Sequence, residues 1–181
     1  MELLAELSDF DAGVGRVALN NKYQLRRASR AVIFNNFNQI ALLFVSKNNY
    51  HKLPGGGIEQ GENVTEALIR EALEEVGAEI SVHSEVGVII EYRNKHEMMQ
   101  LSYCFLARLE KIKEAPSYTE EEKFNGFALK WVEMEEALAL LNDDSPKDYV
   151  GKLIRKRDYI FLTKAKELIM NANGEKEWNK S

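Results

Sequence analysis

The chain has 181 residues, which is enough for one domain with a sizeable core and too few for two domains of ordinary size. Hydrophobic residues make up 45% of it and charged residues 29%, a composition typical of a soluble globular protein, and the net charge is only −5. So mild a charge argues against a general nucleic-acid binder or a binder of anionic membranes, and favours small molecules as partners.

The single cysteine and the chain's start bear on its compartment. Cys104 is the only cysteine, so an intrachain disulfide is excluded, and its apolar neighbours predict a buried core residue. The first residues carry acidic side chains where a signal peptide needs positive charge, and no run approaches the ~18 apolar residues of a membrane span. We therefore expect a cytoplasmic protein without a membrane partner.

The first third of the chain predicts an arm, a hairpin and a loop. Residues 1–27 are expected to form an N-terminal arm that contains a strand. Two runs of β-branched and aliphatic residues follow on either side of residues 35–38, whose asparagines favour turns, and so predict a β-hairpin. Pro54 and the three glycines after it predict a loop, because proline lacks an N–H donor and glycine tolerates unusual backbone angles.

A helix with clear start and stop signals follows this loop. Asn63 can cap its first turn, and Glu66, three residues on, completes a capping box. Gly77 is the residue type that ends helices. The helix is therefore predicted to lie between Asn63 and Gly77.

The predicted helix is unusually acidic. Residues 59–79 hold seven acidic residues and one base, Arg70, which favours a bound cation because unneutralised like charges destabilise a helix. At 100° per residue the apolar side chains share one arc and three glutamates share another. The apolar set is Leu68, Ile69, Ala72, Leu73 and Val76, and the acidic set is Glu71, Glu74 and Glu75. We expect one side to pack and the other to present three carboxylates, with Arg70 holding them together.

The remainder of the chain predicts a second hairpin and more helices. Two long strands are expected on either side of the turn at 94–97, then a mobile charged loop at 111–126, a short strand and a helix. One or two amphipathic helices are predicted after Pro146, and residues 173–181 are expected to be a flexible tail. Residues 28–172 would then form one α/β domain, a sheet covered by helices on both faces.

Seven residues at fixed gaps carry a recognisable pattern. They are Gly56, Glu62, Arg70, Glu71, Glu74, Glu75 and Gly77. This spacing resembles the Nudix box, the signature of hydrolases that cleave nucleoside diphosphates linked to another moiety, and a chance match is on the order of one in a million. Two positions where the pattern has an aliphatic residue hold Ala72 and Ala78, so we expect altered packing and no loss of chemistry. The resemblance implies a Nudix-type α/β/α sandwich with a mixed β-sheet flanked by helices.

The resemblance also assigns roles within the box. It implies Mg²⁺ as cofactor, with Mn²⁺ able to substitute, and hard carboxylate oxygens suit both ions. The implied metal ligands are Glu71 and Glu75, with Glu74 assisting, and Glu74, Glu75 and Arg70 belong to the catalytic set. Arg70 would orient the glutamates. Gly56 and Gly57 would shape the loop, and Glu62 is a matched loop residue whose role is left open.

An acid outside the box often serves this family as general base or extra metal ligand. The candidates here, in order of preference, are Glu121, Glu122 and Glu120. The alternative is a solvated run of loop charges, and the sequence does not separate the two interpretations.

Other polar and aromatic residues are predicted to be structural. The histidines, His51, His83 and His96, lack metal-ligand spacing and are expected on the surface or in loops. Five scattered bases could meet phosphates, but such residues are usually exposed and none is assigned a role; they are Arg26, Arg27, Arg30, Arg93 and Lys95. Trp131 is expected in the core, and Tyr50 and Tyr92 are expected to pack against the sheet more than to stack on a base.

The leading functional hypothesis is hydrolysis of the pyrophosphate linkage of a nucleoside diphosphate derivative by metal-activated water. A (deoxy)nucleoside triphosphate, such as an oxidised nucleotide, is the first expectation. The alternatives are ADP-ribose or a nucleotide sugar, a dinucleoside polyphosphate, or a non-catalytic nucleotide-binding Nudix-fold regulator. Arg93 stands where relatives specific for ADP-ribose carry proline, and Tyr92 is one residue short of a tyrosine found in diadenosine polyphosphate hydrolases. The resemblance also allows a homodimer, and leaves open the attacked phosphorus and the number of metals.

Overall fold

The computed structural model describes residues 1–15 and 22–174, and within them seven strands form one mixed sheet with helices on both faces. The elements are β1 Leu3–Leu7, β2 Gln24–Phe34, β3 Ile40–Val45, β4 Tyr50–Lys52, α1 Val64–Val76, β5 Ala78–Arg93, β6 Met98–Ile112, α2 Glu120–Asn125, β7 Phe127–Val132, α3 Met134–Asp143 and α4 Tyr149–Gly174. A short 3₁₀ turn, Asn94–His96, joins β5 to β6.

The sheet runs in the order β1-β5-β6-β2-β3-β4, and β7 pairs with β3. β1 pairs with β5, and β2 with β6, in parallel, whereas the other pairs are antiparallel. β2 and β3 pair only at Phe34 and Ile40, next to their turn, and then diverge. That divergence leaves one edge of β2 without a neighbouring strand.

The glycine loop fills this edge. Ser29 N donates to Gly56 O at 3.0 Å, and Ile58 N donates to Arg27 O at 3.0 Å, so the loop runs along β2 as a strand would. Gly55 is required here because its φ is +130° and a Cβ would lie 2.1 Å from Ser29 O. The loop is therefore held rigidly by the sheet, directly before α1.

Two apolar clusters bind the helices to the sheet. On one face Leu68, Ala72 and Val76 of α1 pack against Ala31 and Ile33 of β2. On the other face α3 and α4 cover Val32, Ile89 and Leu106, chiefly through Leu141, Leu153 and Phe161. Burial of each such large side chain stabilises the fold by roughly 1.5–3 kcal/mol. The predicted sandwich, with a sheet covered on both faces, is confirmed.

Local signals in the sequence located most of these elements. The arm contains the predicted strand β1, and β2 begins at Gln24, inside the segment predicted as an arm. Both hairpins are present, and Cys104 is buried as predicted. Asn63 and Glu66 form the capping box of α1, and Gly77 ends it with φ of 71°. After Pro146 a single helix, α4, is found.

The structure corrects three sequence-based expectations. The segment 111–126 contains α2, which was missed because an exposed six-residue helix has no apolar periodicity. His51 is buried, with its ring Nδ1 about 3.1 Å from both carboxylate oxygens of Asp144, so the expectation of a surface histidine is wrong there. Trp131 is only partly buried, packing against the α1 cluster.

Parts of the chain predicted from sequence fall outside the described residues. These are residues 16–21 of the arm and residues 175–181 of the tail, whereas residues 173 and 174 complete α4. In the part of the chain that is described, no helix has both the length and the apolar character that crossing a membrane requires.

Candidate active site

A cavity of about 360 Å³ opens between the glycine loop, β2, α1 and α2. Charged side chains dominate its walls. The acidic ones are Glu71 and Glu75 of α1 and Glu121 and Glu122 of α2, and the basic ones are Arg26, Arg30, Lys52 and Arg93. The structure thus brings two predicted glutamates of the box and two predicted acids of the later segment to one cavity, together with bases that the sequence did not assign.

Glu75 is the most deeply buried glutamate of the box. The residue is 1% exposed, its Oε1 lies 2.7 Å from Lys52 Nζ, and its Oε2 accepts a hydrogen bond of 2.6 Å from Gly55 N. Burial raises the pKa of Glu75, and the neighbouring Lys52 and the Gly55 N–H offset this only in part. The lysine and the loop therefore fix both oxygens of this carboxylate.

Glu71 lies directly against the second glycine of the loop. A Cβ on Gly56 would be 2.0 Å from Glu71 Oε1 and 2.5 Å from Oε2, so only glycine leaves room for the carboxylate. Arg70 Nη1 donates to Glu71 Oε1 at 2.9 Å. The close approach explains why the motif needs glycine at position 56.

Arg70 ties the loop to the helix. Its Nε and Nη2 bind the two oxygens of Glu62 at 2.8 and 3.1 Å, which is the bidentate geometry of strong arginine–carboxylate pairs. Nη2 also donates to Gly57 O at 2.9 Å, and Nη1 to Glu74 Oε2 at 3.1 Å. Arg70 holds the pKa of Glu62 below its usual value. Glu62, whose role the sequence left open, therefore accepts the hydrogen bonds by which Arg70 fastens α1 to the loop.

The faces of α1 differ from the helical-wheel expectation. Glu71 and Glu75 are buried on the side that packs, while Ile69 and Leu73, assigned to the packed arc, are 45% and 37% exposed. The expectation of one exposed face with three carboxylates is therefore wrong. Helical periodicity gives only the direction of each side chain around the helix axis. The cavity that receives Glu71 and Glu75 is formed by the glycine loop and β2, which a helical wheel of α1 does not include.

Glu74 lies apart from the other two glutamates. Its partner is Arg70, and it is not among the residues that line the cavity. The three acids of α2 are likewise separated. Glu122 caps its own helix by accepting a hydrogen bond of 2.8 Å from Thr119 N, and Glu120 pairs with Lys123 at 2.7 Å, away from the cavity. Glu121 lines the cavity, and the described contacts include no hydrogen bond or ion pair of its carboxylate.

The basic wall of the cavity, formed by Arg26, Arg30, Lys52 and Arg93, is the part of the site that the sequence analysis missed. Arg30 and Arg93 are buried at 5% and 6% exposure, against the expectation of exposed bases. A usable signal was present for Arg30, which stands inside an apolar run of the predicted strand. Arg26 was placed in the arm, whereas the structure puts both arginines on β2, where residues four apart share a face.

A buried polar network lies behind this wall. Arg93 Nη2 donates to Glu91 Oε1 at 2.8 Å, and Arg157 Nη1 to Glu91 Oε2 at 3.2 Å. Arg157 Nε binds Asp158 Oδ1 at 2.7 Å, and Asp158 Oδ2 accepts from Leu53 N at 2.9 Å. Burial alone would raise the pKa of Glu91, but Arg157 and Arg93 lower it to about 2. The network connects α4 to the residue just before the glycine loop.

The donor set at Glu71 and Glu75 fits a hard divalent cation. Both are carboxylates that border the same cavity, Glu71 is seated against Gly56 where no Cβ would fit, and oxygen ligands are what Mg²⁺ and Mn²⁺ prefer. As placed, no three His, Cys, Asp or Glu side chains of the described residues converge closely enough to hold a metal. Mg²⁺ commonly uses only one or two protein carboxylates and takes its other oxygens from water and phosphate, so two glutamates are a sufficient set.

The fold and the glycine-and-glutamate site define an α/β/α domain built around a cavity lined by charged side chains. Residues 24–153 match the family model described as NUDIX domain, which is more than half of the chain. The chain therefore belongs to the Nudix family.

Individual relatives agree with this membership. A curated relative, "Nudix hydrolase 13, mitochondrial" of Arabidopsis thaliana, is 30% identical over 112 residues, which are 57% of this chain and 54% of the relative. The chain thus spans about half the length of that relative. Among solved structures, the MutT protein of Methanosarcina mazei Go1 has a TM-score of 0.57 at 18% identity, covering 82% of this chain and 98% of that one. The C. elegans Ap4A hydrolase has a TM-score of 0.53 at 16% identity, covering 81% and 99%. At these identities the structures show a shared fold.

Proposed function

We propose that this chain hydrolyses the pyrophosphate linkage of a nucleoside diphosphate derivative with the help of a divalent cation, Mg²⁺ by preference. The observation that carries the proposal is the convergence of Glu71 and Glu75 under the glycine loop, in a cavity whose other walls hold four basic side chains. A pyrophosphate is polyanionic, so a site that cleaves it needs positive charge beside its catalytic carboxylates. This cavity supplies both kinds of group.

The proposed roles follow from the contacts. Glu71 and Glu75 would hold the cation, which when bound supplies charge neutralisation of the phosphates and a lower pKa for bound water. Arg70 keeps Glu71 and the loop in place through its hydrogen bonds to Glu71, Glu62 and Gly57 O. Glu121 is proposed as the general base, because it lines the cavity without a described partner, whereas Glu122, which also lines it, caps α2, and Glu120 pairs with Lys123. Glu74, bound to Arg70 outside the cavity, is proposed to assist through that arginine.

The proposed substrate is a (deoxy)nucleoside triphosphate, including oxidised ones, because such a substrate needs no added recognition domain. ADP-ribose, nucleotide sugars and dinucleoside polyphosphates are the alternative substrates. The basic wall of the cavity supports an assignment in which phosphate groups, more than sugar hydroxyls, contact the protein.

The test is a panel of these nucleotides incubated with Mg²⁺ or Mn²⁺ and with EDTA, with products separated by chromatography. We expect metal-dependent release of nucleoside monophosphate from at least one triphosphate. Glu75→Gln should lower turnover by about a hundredfold or more, since it removes a charged ligand oxygen. Glu79→Gln, an exposed glutamate just beyond the same helix, is the matched control. Equal turnover in wild type and Glu75→Gln would show that Glu75 is not part of a hydrolytic site and would overturn the proposed function.

Binding without cleavage at every metal and pH tested would show a non-catalytic regulator instead. Calorimetric titration of the same panel, run beside the assay, separates the two outcomes. A preference for ADP-ribose over all triphosphates would keep the enzyme and overturn the proposed substrate.

Compartment and assembly belong to the same proposal. A cytoplasmic location is supported by Cys104, the only cysteine in the sequence, which is buried as a free thiol. A homodimer through the outer edge of the sheet is supported by β1, an edge strand whose Leu3 is 48% exposed. Fractionation of cells that express the tagged chain tests the first, and light scattering after size exclusion tests the second.

A further inference from the structure

Arg30 is a buried cation with very little compensation. Within the described residues its Nη1 donates one hydrogen bond of 3.1 Å, to Ser29 O, and its Nε has no partner. Burial, followed by the charge of Arg157, lowers the pKa of Arg30 to about 10. An arginine that is only 5% exposed and whose guanidinium lacks a carboxylate partner is a group awaiting an anion.

Arg157 shows what a structural arginine looks like in the same region. It is also buried, and its Nη2 likewise has no partner, yet it binds carboxylates of both Glu91 and Asp158, and these raise its pKa against the effect of burial. Arg30 differs because Asp158 and Glu75 act on it only through space, without a hydrogen bond. The cavity is the open direction left to its guanidinium.

Two further arginines border the same part of the cavity. Arg93 has an unpartnered buried Nε, although its Nη2 binds Glu91. Arg26 lies across the glycine loop, where its Nη2 would be 3.1 Å from a Cβ on Gly57, and its Nη1 donates to the neutral Gln100 at 2.5 Å. Burial and the charges of Arg93 and Arg157 lower the pKa of Arg26.

The positive charge of this region exceeds its negative charge. Glu71 and Glu75 also act on these arginines, but they are paired with Arg70 and Lys52. Among the described residues this leaves the carboxylates of Glu91 and Asp158 against four guanidiniums, those of Arg26, Arg30, Arg93 and Arg157. Like charges that lower one another's pKa are stabilised by an anion placed between them. Phosphate suits the position because its oxygens carry charge in several directions and match the arginine fork.

We propose that Arg26, Arg30 and Arg93 form a subsite for a phosphate group beyond the scissile linkage, which gives preference to substrates with at least three consecutive phosphates. This inference rests on the proposed hydrolysis at Glu71 and Glu75. Those carboxylates line the same cavity as the three arginines, and the inference places the next phosphate of a chain cleaved there against the arginines. A sugar hydroxyl in that place would leave the arginine charges unmatched.

The test uses inorganic tripolyphosphate as the probe, titrated into the full chain in metal-free buffer. Arg30→Met should weaken its binding about 10- to 100-fold, the usual loss for charge-assisted hydrogen bonds. Arg27→Met is the matched control, because Arg27 lies on the same strand and is exposed, and it should bind within about twofold of wild type. Equal binding of tripolyphosphate by wild type and Arg30→Met overturns the subsite.

Thermal unfolding without ligand gives a second readout. Removal of an arginine that awaits an anion should leave the melting temperature unchanged or raise it, whereas removal of a structural arginine should lower it. If Arg30→Met melts several degrees lower, the subsite at Arg30 is wrong. The Arg26 side chain is half-buried and bound to the neutral Gln100. The same tripolyphosphate titration of Arg26→Met then tests whether Arg26 contributes to phosphate binding.

The outcomes separate this inference from the proposed function. If tripolyphosphate binding depends on Arg30 while no nucleotide is hydrolysed, the phosphate subsite stands and the hydrolase proposal fails. If nucleotides are hydrolysed and Arg30→Met changes neither tripolyphosphate binding nor the kcat/KM ratio of a nucleoside triphosphate to ADP-ribose, the hydrolase stands and the subsite fails.

Discussion

Lys52 Nζ lies 2.7 Å from Glu75 Oε1, and both side chains are almost completely buried. The strand before the glycine loop therefore supplies a positive charge to the deepest glutamate of the motif. The negative charges of Glu75 and Glu71 on α1 are thus partly neutralised within the protein, by Lys52 and Arg70. A cation bound in the cavity would neutralise them further.

Lys52→Met should destabilise the metal-free protein by about 3 kcal/mol, because it leaves a buried carboxylate without its partner. Urea denaturation in EDTA measures this loss. Lys111→Met, at an exposed position of β6, should change the free energy of unfolding by less than about 0.5 kcal/mol. If both variants unfold at the same urea concentration, the pair makes no net contribution to stability.

Gly56→Ala should lower turnover by about a hundredfold while the fold survives, since small displacements of catalytic groups have effects of that size. The added Cβ would lie 2.0 Å from Glu71 Oε1, and the flexible end of the glutamate can move away from it. Steady-state kinetics and thermal unfolding together check this.

Gly61→Ala is the opposite case and serves as control. Its φ is +92° and a Cβ there meets nothing within 4 Å, so the substitution strains the backbone without touching Glu71. It should cost about 1–2 kcal/mol of stability and leave kcat unchanged. Loss of kcat in Gly61→Ala, with Gly56→Ala active, would contradict the steric explanation.

Glu121→Gln should reduce kcat by about 10²- to 10⁴-fold, the range for loss of a general base. Glu120→Gln should be close to wild type, because Glu120 pairs with Lys123 away from the cavity. The loss should fall on kcat while KM stays within about twofold of wild type, a split that loss of a merely structural acid does not produce. If Glu122→Gln alone shows this signature, the base is Glu122 and the helix-capping role is secondary.

Glu91→Gln should lower the stability at pH 7 by about 3 kcal/mol and remove part of its acid dependence. The folded-state pKa of Glu91 is depressed from 4.5 to about 2, so its contribution is fully present above pH 4.5 and is lost as pH falls through about 2. The difference between wild type and variant should therefore shrink between pH 4.5 and pH 2. Urea denaturation across this range measures it.

Glu110→Gln, at an exposed position of β6, is the matched control for Glu91→Gln. Its unfolding curve should follow that of wild type at each pH. A constant difference between wild type and Glu91→Gln down to pH 2 would contradict a depressed pKa.

The sequence predicted what depends on near neighbours. Asn63, Glu66 and Gly77 located α1 because caps and stops act within a few residues, and the spacing of glycine and glutamates indicated the family. The burial of Arg93 was missed because it depends on which distant segments fold over it, whereas that of Arg30 was missed although an apolar run follows it directly.

The buried network illustrates the same limit. Arg157 meets Glu91 across 66 positions of sequence, and Asp158 meets Leu53 N across 105. No window of local sequence contains both members of such a pair. From sequence alone, the charged residues of α4 would therefore be assigned to a solvated helix face, and only the tertiary structure shows that Arg157 and Asp158 lie against the sheet.

The hydrogen bonds between the glycine loop and β2 join two walls of the cavity through one strand. The strand that carries Arg26 and Arg30 is also the strand that aligns the loop above Glu71 and Glu75. Alternate side chains of β2 can be exchanged while its backbone, and with it the position of the loop, stays constant. Exchange of these side chains is therefore expected to change the proposed phosphate subsite while α1 keeps its place, whereas a single-residue insertion in β2 would shift both the arginines and the loop.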